Sequence, residues 1–393
     1  MDFTENESQA ELAALSRKIL TEQVTPERLA AADAASDRFD AGLWDALARA
    51  GILAAALPES LGGAGLGLLG HCSVLAELGR TVAPVPYLAS IVLGAGAIAR
   101  FGTPEQQHRW AAPAGRGEVI LTAALAEEDG DDPAAPSARA EPVTDDGQGW
   151  RLSGVKTTVP AAPLAGLILV PAAAPGGVAV FLVTPGDTGV TVQRQQLASG
   201  DSAGRVVLDD VRLPGDRVLG RADGARADGA RADGTDGARA DGMDGAAGWL
   251  MAAGTVGLCA LQAGVTERAL ELTAEYARTR VQFGKPIGGF QAVAQRLADA
   301  YIDTEAIRLT MWQAAWRLSA GLPCGMEVAT AKFWAADAGH RVAHTAVHVH
   351  GGVGIDLGYP LHRYFAAAKH NEFSLGGATT QLRRIGAALA ASP

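Results

Sequence analysis

The chain has 393 residues, of which 48% are hydrophobic, and a formal net charge of −10 at pH 7. This length and composition predict two or three packed units and exclude a disordered chain. No run of Lys or Arg forms a basic patch, so neither nucleic acid nor an anionic membrane surface is an expected partner.

Cysteine usage and the N-terminus indicate the compartment. Cys72, Cys259 and Cys324 are far apart and lack metal or redox spacing, which predicts buried thiols in a reducing environment. The N-terminus, Met1 to Glu5, has neither a basic nor an apolar segment, and we expect no membrane span elsewhere. A cytoplasmic protein is the expectation.

Residues 1–119 and 246–393 have helical patterns. Leu12, Leu15 and Ile19 recur at three to four residues in the first region. In the last region, Phe290 and Tyr301 bound a run of apolar residues that we expect to form one stripe of a long helix.

Residues 120–219 instead contain short apolar runs bounded by Gly, Pro or Asp, as strands should be. The clearest runs are Leu167 to Val170, Val178 to Val183 and Val206 to Leu208. The order helices, strands, helices predicts an α+β multidomain fold with a small β-barrel or β-sandwich in the centre, and it argues against an alternating dinucleotide-binding chain.

A repeat of Ala-Arg-Ala-Asp-Gly occupies most of residues 220–245. It contains glycines and no large apolar residues, so it predicts a mobile surface loop inserted between two domains. Calcium binding by its aspartates is an alternative, which the Arg beside almost every Asp disfavours.

The most specific motif lies near a predicted helix end. It reads Tyr-Ala-Arg-Thr-Arg-Val-Gln-Phe-Gly-Lys-Pro-Ile from Tyr276 to Ile287, and Gly-Phe-Gln follows at 289–291. We expect a helix over about 262–281, a Gly-Lys-Pro turn and a second helix. The segment closely resembles the Tyr-Ala-x-x-Arg-x-x-Phe-Gly-x-x-Ile-x-x-Phe-Gln signature of acyl-CoA dehydrogenases.

Four further segments resemble the same family. His348 to Gly354 is similar to its Gln-x-x-Gly-Gly-x-Gly element, and Tyr359 to Tyr364 to its Tyr-Pro-x-x-Arg element. Leu57 to Leu66 and Phe101 to Gln107 agree in order and spacing. The resemblance covers nearly the whole chain outside the repeat.

The resemblance implies the family's fold, with a C-terminal four-helix bundle after the β domain. It implies an FAD-dependent oxidoreductase that desaturates an acyl-CoA or a related acyl thioester. It also implies a homo- or hetero-oligomer, a dimer of dimers, with a second flavoprotein as a possible electron acceptor.

In the family, groups from a neighbouring subunit hold the FAD. Carried over by position, they are Arg280, Phe283, Gln291, His348, Gly351 and Gly352. An Arg can form paired hydrogen bonds to a diphosphate, and glycines allow close approach of the backbone. The alternative is that Arg280 is only a charge favoured at a helix C-terminus.

The catalytic base is missing from its expected positions, so the catalytic residues are unknown. In most family members a glutamate before a Gly near the C-terminus removes the α-proton, and here that position is Leu375. Relatives that carry the base on the earlier helix have it where this chain has Gly254, next to Thr255. Glu372 is the nearest acid, but its position along a predicted helix turns it away.

The β domain also departs from the family pattern. The family's Thr-Glu-Pro-x-x-Gly-Ser-Asp loop aligns with residues 126–133, where Ala126 replaces the Thr that meets the flavin ring. Pro160 occupies the position of a Thr or Ser that contacts flavin N5, and it has no donor to offer.

Degraded ring contacts beside an intact clamp lead to one hypothesis. The chain is one subunit of a heteromeric acyl-CoA dehydrogenase whose partner supplies the base. A purely non-catalytic partner subunit and an altered flavin chemistry on the same fold are the alternatives.

Two weaker patterns suggest other ligands. His340, His344 and His348 are spaced four apart, but they lack the set of ligands that a zinc site needs, so no metal is expected. The glycine run from Gly62 to Gly67 follows no convincing strand, which disfavours a phosphate loop.

Overall fold

The computed structural model describes residues 6–128, 130, 135–143, 149–220 and 245–391. Apart from Gly245, the repeat that we predicted to be a mobile loop lies outside the described residues. The predicted domain boundaries stay a prediction.

The N-terminal unit is helical. Its first helix begins at a capping box, in which the Asn6 side chain accepts from the Gln9 amide at 2.9 Å and the Gln9 side chain accepts from the Asn6 amide at 3.0 Å. π-helical segments at Leu88–Gly96 and Gln107–Ala111 interrupt its second half. The α-helices are α1 (Glu7–Gln23), α2 (Pro26–Ala34), α3 (Ala41–Arg49), α4 (Gly67–Thr81), α5 (Ala97–Phe101), α6 (Pro104–Gln106) and α7 (Ala112–Gly115).

The central unit is a curled sheet of seven strands in the order β1-β4-β2-β3-β7-β6, with β5 paired to β4. β4 lies parallel to β1 and β2, and the other pairs are antiparallel. Each predicted apolar run forms part of a strand. The strands are β1 (Leu121–Ala123), β2 (Arg139–Val143), β3 (Gly149–Pro160), β4 (Leu167–Ala174), β5 (Gly177–Val183), β6 (Val190–Gln196) and β7 (Ser202–Pro214).

The C-terminal unit is helical again, and a short hairpin separates its first two helices. The hairpin consists of β8 (Val281–Gln282) and β9 (Lys285–Pro286). The helices are α8 (Ala246–Thr279), α9 (Gln291–Ser319), α10 (Gly325–His350), α11 (Leu361–Phe373) and α12 (Ala378–Ala391). The helix predicted over about 262–281 therefore begins 16 residues earlier, at Ala246.

Glycines set the position of α8 against α4. A Cβ atom on Gly264 would lie 1.9 Å from the carbonyl oxygen of Ala76, and one on Gly79 would lie 2.2 Å from that of Leu261. Real Cβ atoms do not approach backbone oxygens so closely. The two helices can therefore touch along their backbones only because both positions lack a side chain.

The apolar run that ends at Tyr301 lies at the start of a long helix, α9, as predicted. Tyr301 is 60% exposed, and the neighbouring Ile302 is 64% exposed. The buried face of the helix runs instead through Ala300, Ile307 and Met311. The spacing of apolar residues thus marks a helical face without telling whether the chain itself or another chain covers it.

α8 is long and apolar enough to cross a membrane by length and composition alone, contrary to our expectation that no such stretch exists. Its most apolar window is 83% buried inside the protein. The helix is therefore the central core helix of a folded unit, packed on α4, α9, α10 and α11.

A buried ion pair fixes the loop that follows β1. The Lys156 side chain is fully buried, and its Nζ donates to Glu127 Oε1 at 2.6 Å. The Ala138 amide donates to the same oxygen at 3.0 Å, and the Ser137 amide donates to the other carboxylate oxygen at 2.6 Å. Burial alone would raise the Glu127 pKa, but these hydrogen bonds outweigh it and lower the pKa to about 2.

We expect Glu127→Gln to cost about 3 kcal/mol of unfolding free energy, because it leaves Lys156 buried without its counter-ion. Urea unfolding at pH 7 measures this. Glu128→Gln is the matched control, since Glu128 pairs with Arg205 at the surface with 59% of its side chain exposed. The control should change stability by no more than about 0.5 kcal/mol.

The same variant should alter the response to acid. Because the folded-state pKa of Glu127 is depressed, its stabilisation is complete above its ordinary pKa near 4.5 and is lost as pH falls toward 2. Wild-type stability should therefore drop more steeply than that of Glu127→Gln between pH 4.5 and pH 2. Parallel curves would show that the pair contributes nothing.

Candidate functional site

The Arg280 side chain is exposed although its backbone is held on both sides. The residue caps the C-terminus of α8, and its amide donates to the carbonyl oxygen of Tyr276 at 2.8 Å. Its own carbonyl oxygen accepts from the Ile287 amide at 2.9 Å, across the β8–β9 hairpin. Within the described part of the chain the guanidinium has no carboxylate partner, so a fixed backbone presents a free cation.

The tip of this hairpin presents an exposed aromatic ring. Phe283 and Gly284 both have positive φ, 49° and 80°, as a two-residue hairpin turn requires. The Phe283 side chain is 94% exposed, and its ring packs edge-on against that of Phe290, with the ring centroids 6.1 Å apart. A large apolar ring in a strained backbone conformation, almost wholly in solvent, favours contact with something outside this chain.

Gly351 ends α10 in a conformation open to glycine, with φ 64° and ψ −143°. A Cβ atom at Gly351 or Gly352 would meet nothing within 4 Å, so both face open space. The backbone here is therefore accessible to a ligand from outside.

Gln291 and His348 lie at the same end of the C-terminal unit. Gln291 is the first residue of α9, His348 is in the last turn of α10, and both are exposed. A groove between α9 and α10 runs beside them, lined by His348 and Arg296 among others. The six predicted residues thus occupy a hairpin and two helix ends that face outward, and we call this surface the clamp.

An aromatic stack joins the three C-terminal motifs beneath the clamp. Tyr276 and His350 stack with ring centroids 4.3 Å apart at 24°. His350 Nδ1 lies 2.8 Å from the Ala346 carbonyl oxygen, which can only accept, so His350 Nε2 is left to accept from the Tyr359 hydroxyl at 3.2 Å. Burial lowers the His350 pKa, which suits this neutral form. We did not predict this role for His350, because its partners Tyr276 and Tyr359 lie in separate motifs.

The two positions at which the family carries its base face each other. A Cβ atom on Gly254 would lie 3.2 Å from Leu375 Cδ1. Leu375 follows the end of α11 with a φ of 55°, and both residues line one cavity of about 570 Å³. The two alignments therefore converge on one place in the fold, where this chain has no proton acceptor.

Glu372 does not replace the missing base. It lies on the other side of α11, where Lys369 Nζ donates to it at 2.6 Å and His340 Nδ1 lies 3.2 Å away. It is not among the residues that line the cavity. The acids in the lining, Asp37 and Asp201, are held by Arg194 and Arg38.

Three amides on the wall that would face a flavin ring already have acceptors within the chain. The amides of Thr157, Thr158 and Ala161 donate to Ala126 O, Gln195 Oε1 and Ser202 O at 3.0, 2.7 and 2.7 Å. Pro160 between them has no amide hydrogen. This stretch therefore offers flavin N5 no donor at the position where the family has a Thr or Ser, whereas the clamp offers open backbone and a guanidinium without a carboxylate partner among the described residues.

The other candidate sites have structural explanations. His340 and His344 pack with ring centroids 4.2 Å apart, and no cluster of three or more His, Cys, Asp or Glu in the described part of the chain is arranged to hold a metal ion. A Cβ atom on Gly63 would lie 2.0 Å from the Leu57 carbonyl oxygen, so that glycine allows close packing of the loop before α4. The three cysteines are buried and form no disulfide, as predicted.

Comparison with known proteins identifies the family. Models of the N-terminal, middle and C-terminal domains of acyl-CoA dehydrogenases match residues 6–118, 122–211 and 241–390. The chain belongs to the acyl-CoA dehydrogenase family. This confirms the resemblance, the predicted fold, the class of oxidoreductase acting on CH–CH bonds, and FAD as the cofactor of that class.

Relatives within the family agree along the whole chain. The acyl-CoA dehydrogenase FadE27 of Mycobacterium tuberculosis is 48% identical, with 100% of both chains covered. Among solved structures, the ChsE4-ChsE5 complex from Mycobacterium tuberculosis contains a chain at 49% identity and a TM-score of 0.89, with 100% of both chains covered. The steroid ACAD Tcur3481-Tcur3483 matches at 41% identity and a TM-score of 0.87, with 98% of each chain covered.

We expect Tyr276→Ala to loosen the clamp without unfolding the protein. Loss of the ring stack removes about 1 kcal/mol, which should raise amide exchange in the 280–291 segment about fivefold. Hydrogen exchange read by mass spectrometry measures this. Tyr301→Ala makes the same chemical change at a 60% exposed site and should leave that segment unchanged. Equal exchange in both variants would mean that the stack does not hold the clamp.

Proposed function

We propose that this chain is one subunit of a heteromeric, FAD-dependent acyl-CoA dehydrogenase. A related partner subunit supplies the catalytic base and the contacts to the flavin ring, and this chain supplies the clamp. One observation carries the proposal: Gly254 and Leu375 occupy both possible base positions and pack against each other, while Arg280 stays free at the far end of α8.

The names of two solved neighbours support a heteromer. The matches at 49% and 41% identity are both chains of assemblies named for two different proteins, ChsE4-ChsE5 and Tcur3481-Tcur3483. The exposed apolar residues Phe283, Tyr301 and Ile302 give this chain a surface that a partner subunit would cover.

In the assembly, the clamp residues would hold an FAD shared with the partner. The Arg280 guanidinium would bind its diphosphate, and the open backbone at Gly351 and Gly352 would admit the same group. Phe283, Gln291 and His348 would contact the rest of the dinucleotide. When bound, FAD would supply the hydride acceptor, and a carboxylate of the partner would accept the α-proton.

The substrate class is an acyl-CoA or a related acyl thioester, and a second flavoprotein takes the electrons away. Because one neighbour is named a steroid ACAD, a steroid acyl thioester is the first substrate to test. The cytoplasm is the proposed location.

Flavin counting tests the proposal. The chain purified alone should carry no stoichiometric FAD and should not desaturate acyl-CoA. Co-expression with a family member that has the glutamate should give a stable complex with one FAD per pair of chains and dehydrogenase activity. One FAD per chain with turnover in the isolated protein would overturn the proposal, and bound flavin without desaturation would favour the altered chemistry.

We expect Arg280→Ala to weaken FAD binding by the complex about 10- to 100-fold, since a charge-assisted pair of hydrogen bonds is lost. Arg280→Lys should recover only part of the affinity, because an ammonium group cannot form the two parallel bonds. Titration of the apo-complex with FAD measures both variants.

Arg278→Ala is the control, being an exposed charge on the last turn of the same helix. It removes the same charge near the helix end, so a general electrostatic role would weaken FAD binding equally in both variants. Equal losses would contradict a specific role for Arg280.

A further inference from the structure

The cavity lined by Leu375 and Gly254 is large, although neither residue can accept a proton. It measures about 570 Å³ and lies between α4, the edge of β3, α8 and the end of α11. Leu258, Leu93 and Tyr87 are among its apolar and aromatic lining residues. A cavity of this size is typical of a small-molecule site.

The charged groups in the lining are paired within the protein. Arg38 binds Asp33 and Asp201, and the Lys369 ammonium binds Glu372. Burial lowers the pKa of His370, which keeps that ring neutral at pH 7. The described lining therefore offers an anionic ligand no cation that is not already bound to a carboxylate.

Two arginines, Arg38 and Arg363, join the three units beside the cavity. Arg38 donates to Asp201 at 2.5 Å, to Asp33 at 2.9 Å and to the Val82 carbonyl oxygen at 3.2 Å. Arg363 of α11 donates to the other oxygen of Asp33 at 2.8 Å. We call this set of contacts the Arg38 latch.

The latch packs closely on the turn between β6 and β7. A Cβ atom on Gly200 would lie 3.2 Å from Arg38 Cδ, and the Arg38 side chain is only 8% exposed. The Arg38 backbone has a φ of 42°. A CoA thioester would have to place its diphosphate and its long pantetheine arm beside the Arg38 latch, whose charged groups already pair with each other. An uncharged molecule without such an arm meets no such barrier.

We propose that the cavity of this chain is a binding site for an uncharged lipophilic molecule, separate from the CoA thioester that the enzyme oxidises. The proposal rests on the proposed function, since it requires that no flavin ring occupies the cavity of this chain. The bound molecule is not transformed, because Leu375 and Gly254 replace the proton acceptor.

Fluorescence titration with Nile red, an uncharged fused-ring dye, tests the proposal on the full chain as purified, with its partner if the two copurify. We expect saturable binding of one dye per copy of this chain, and no displacement by octanoyl-CoA. Ala126→Trp, which adds an indole to the lining, should remove that one equivalent. Displacement by octanoyl-CoA, or the absence of a saturable equivalent, would overturn the proposal.

Ala320→Trp is the matched control, because Ala320 is exposed after α9 and does not line the cavity. It should bind the dye as the wild type does. Equal loss of the dye in both variants would overturn the assignment to the cavity.

A second variant keeps the test decisive if Ala126→Trp does not fold. Arg38→Ala opens the latch without filling the cavity, so the dye should still bind and octanoyl-CoA should now compete with it. Loss of the dye, or a dye that octanoyl-CoA still fails to displace, would contradict the proposal.

Flavin counting separates the two proposals. One FAD per chain in the isolated protein would reject the proposed function. The expected FAD count without dye binding would reject only the lipophile site.

Discussion

The backbone contact between α4 and α8 is the constraint on which the rest of the structure depends. Gly264 and Gly79 allow each helix to touch a carbonyl oxygen of the other, and this fixes a helix of 34 residues against the N-terminal unit. That helix carries Gly254 beside the cavity and is capped by Arg280. The two positions are 26 residues apart, or about 39 Å along the axis. Changes in the chemistry at one end therefore need not disturb the other end.

The three C-terminal motifs have a common physical purpose. Tyr276, His350 and Tyr359 come from separate motifs and meet in one stack, which places Arg280 and the glycine pair on the same surface. The stack itself is largely inside the chain, whereas the residues that it positions face outward. A sequence signature that spans such a site thus mixes residues that bind with residues that hold them.

Much of the fold could be predicted from local pattern, because short apolar runs between turn residues become strands wherever they can pair. The unbroken course of α8 from Ala246 could not, although its region has a helical pattern, because its four glycines before Val265 argue against a single helix unless their packing partners are known. Apolar spacing also could not show that Tyr301 in α9 is exposed, since a helical stripe has the same pattern whichever chain covers it. The base positions were found by alignment, but only the fold shows that Gly254 and Leu375 touch. His350 stacks on Tyr276, and Gln195 accepts from the Thr158 amide. Both partners are far away in the sequence, so spacing does not reveal these contacts.

The symmetry of an oligomer decides which cavity faces the clamp. In a two-fold pair of identical chains, the clamp of each chain would face the cavity of the other, identical chain. That cavity has Leu375 in place of a base and, along its wall, a proline and three amides whose hydrogens are already donated. A homo-oligomer would therefore join each Arg280 guanidinium to a site that lacks the base and the donor at the N5 position. The heteromer that we propose avoids this, because a non-identical partner brings its own donors and its own carboxylate. In that proposed assembly the cavity of this chain has no role in the oxidation.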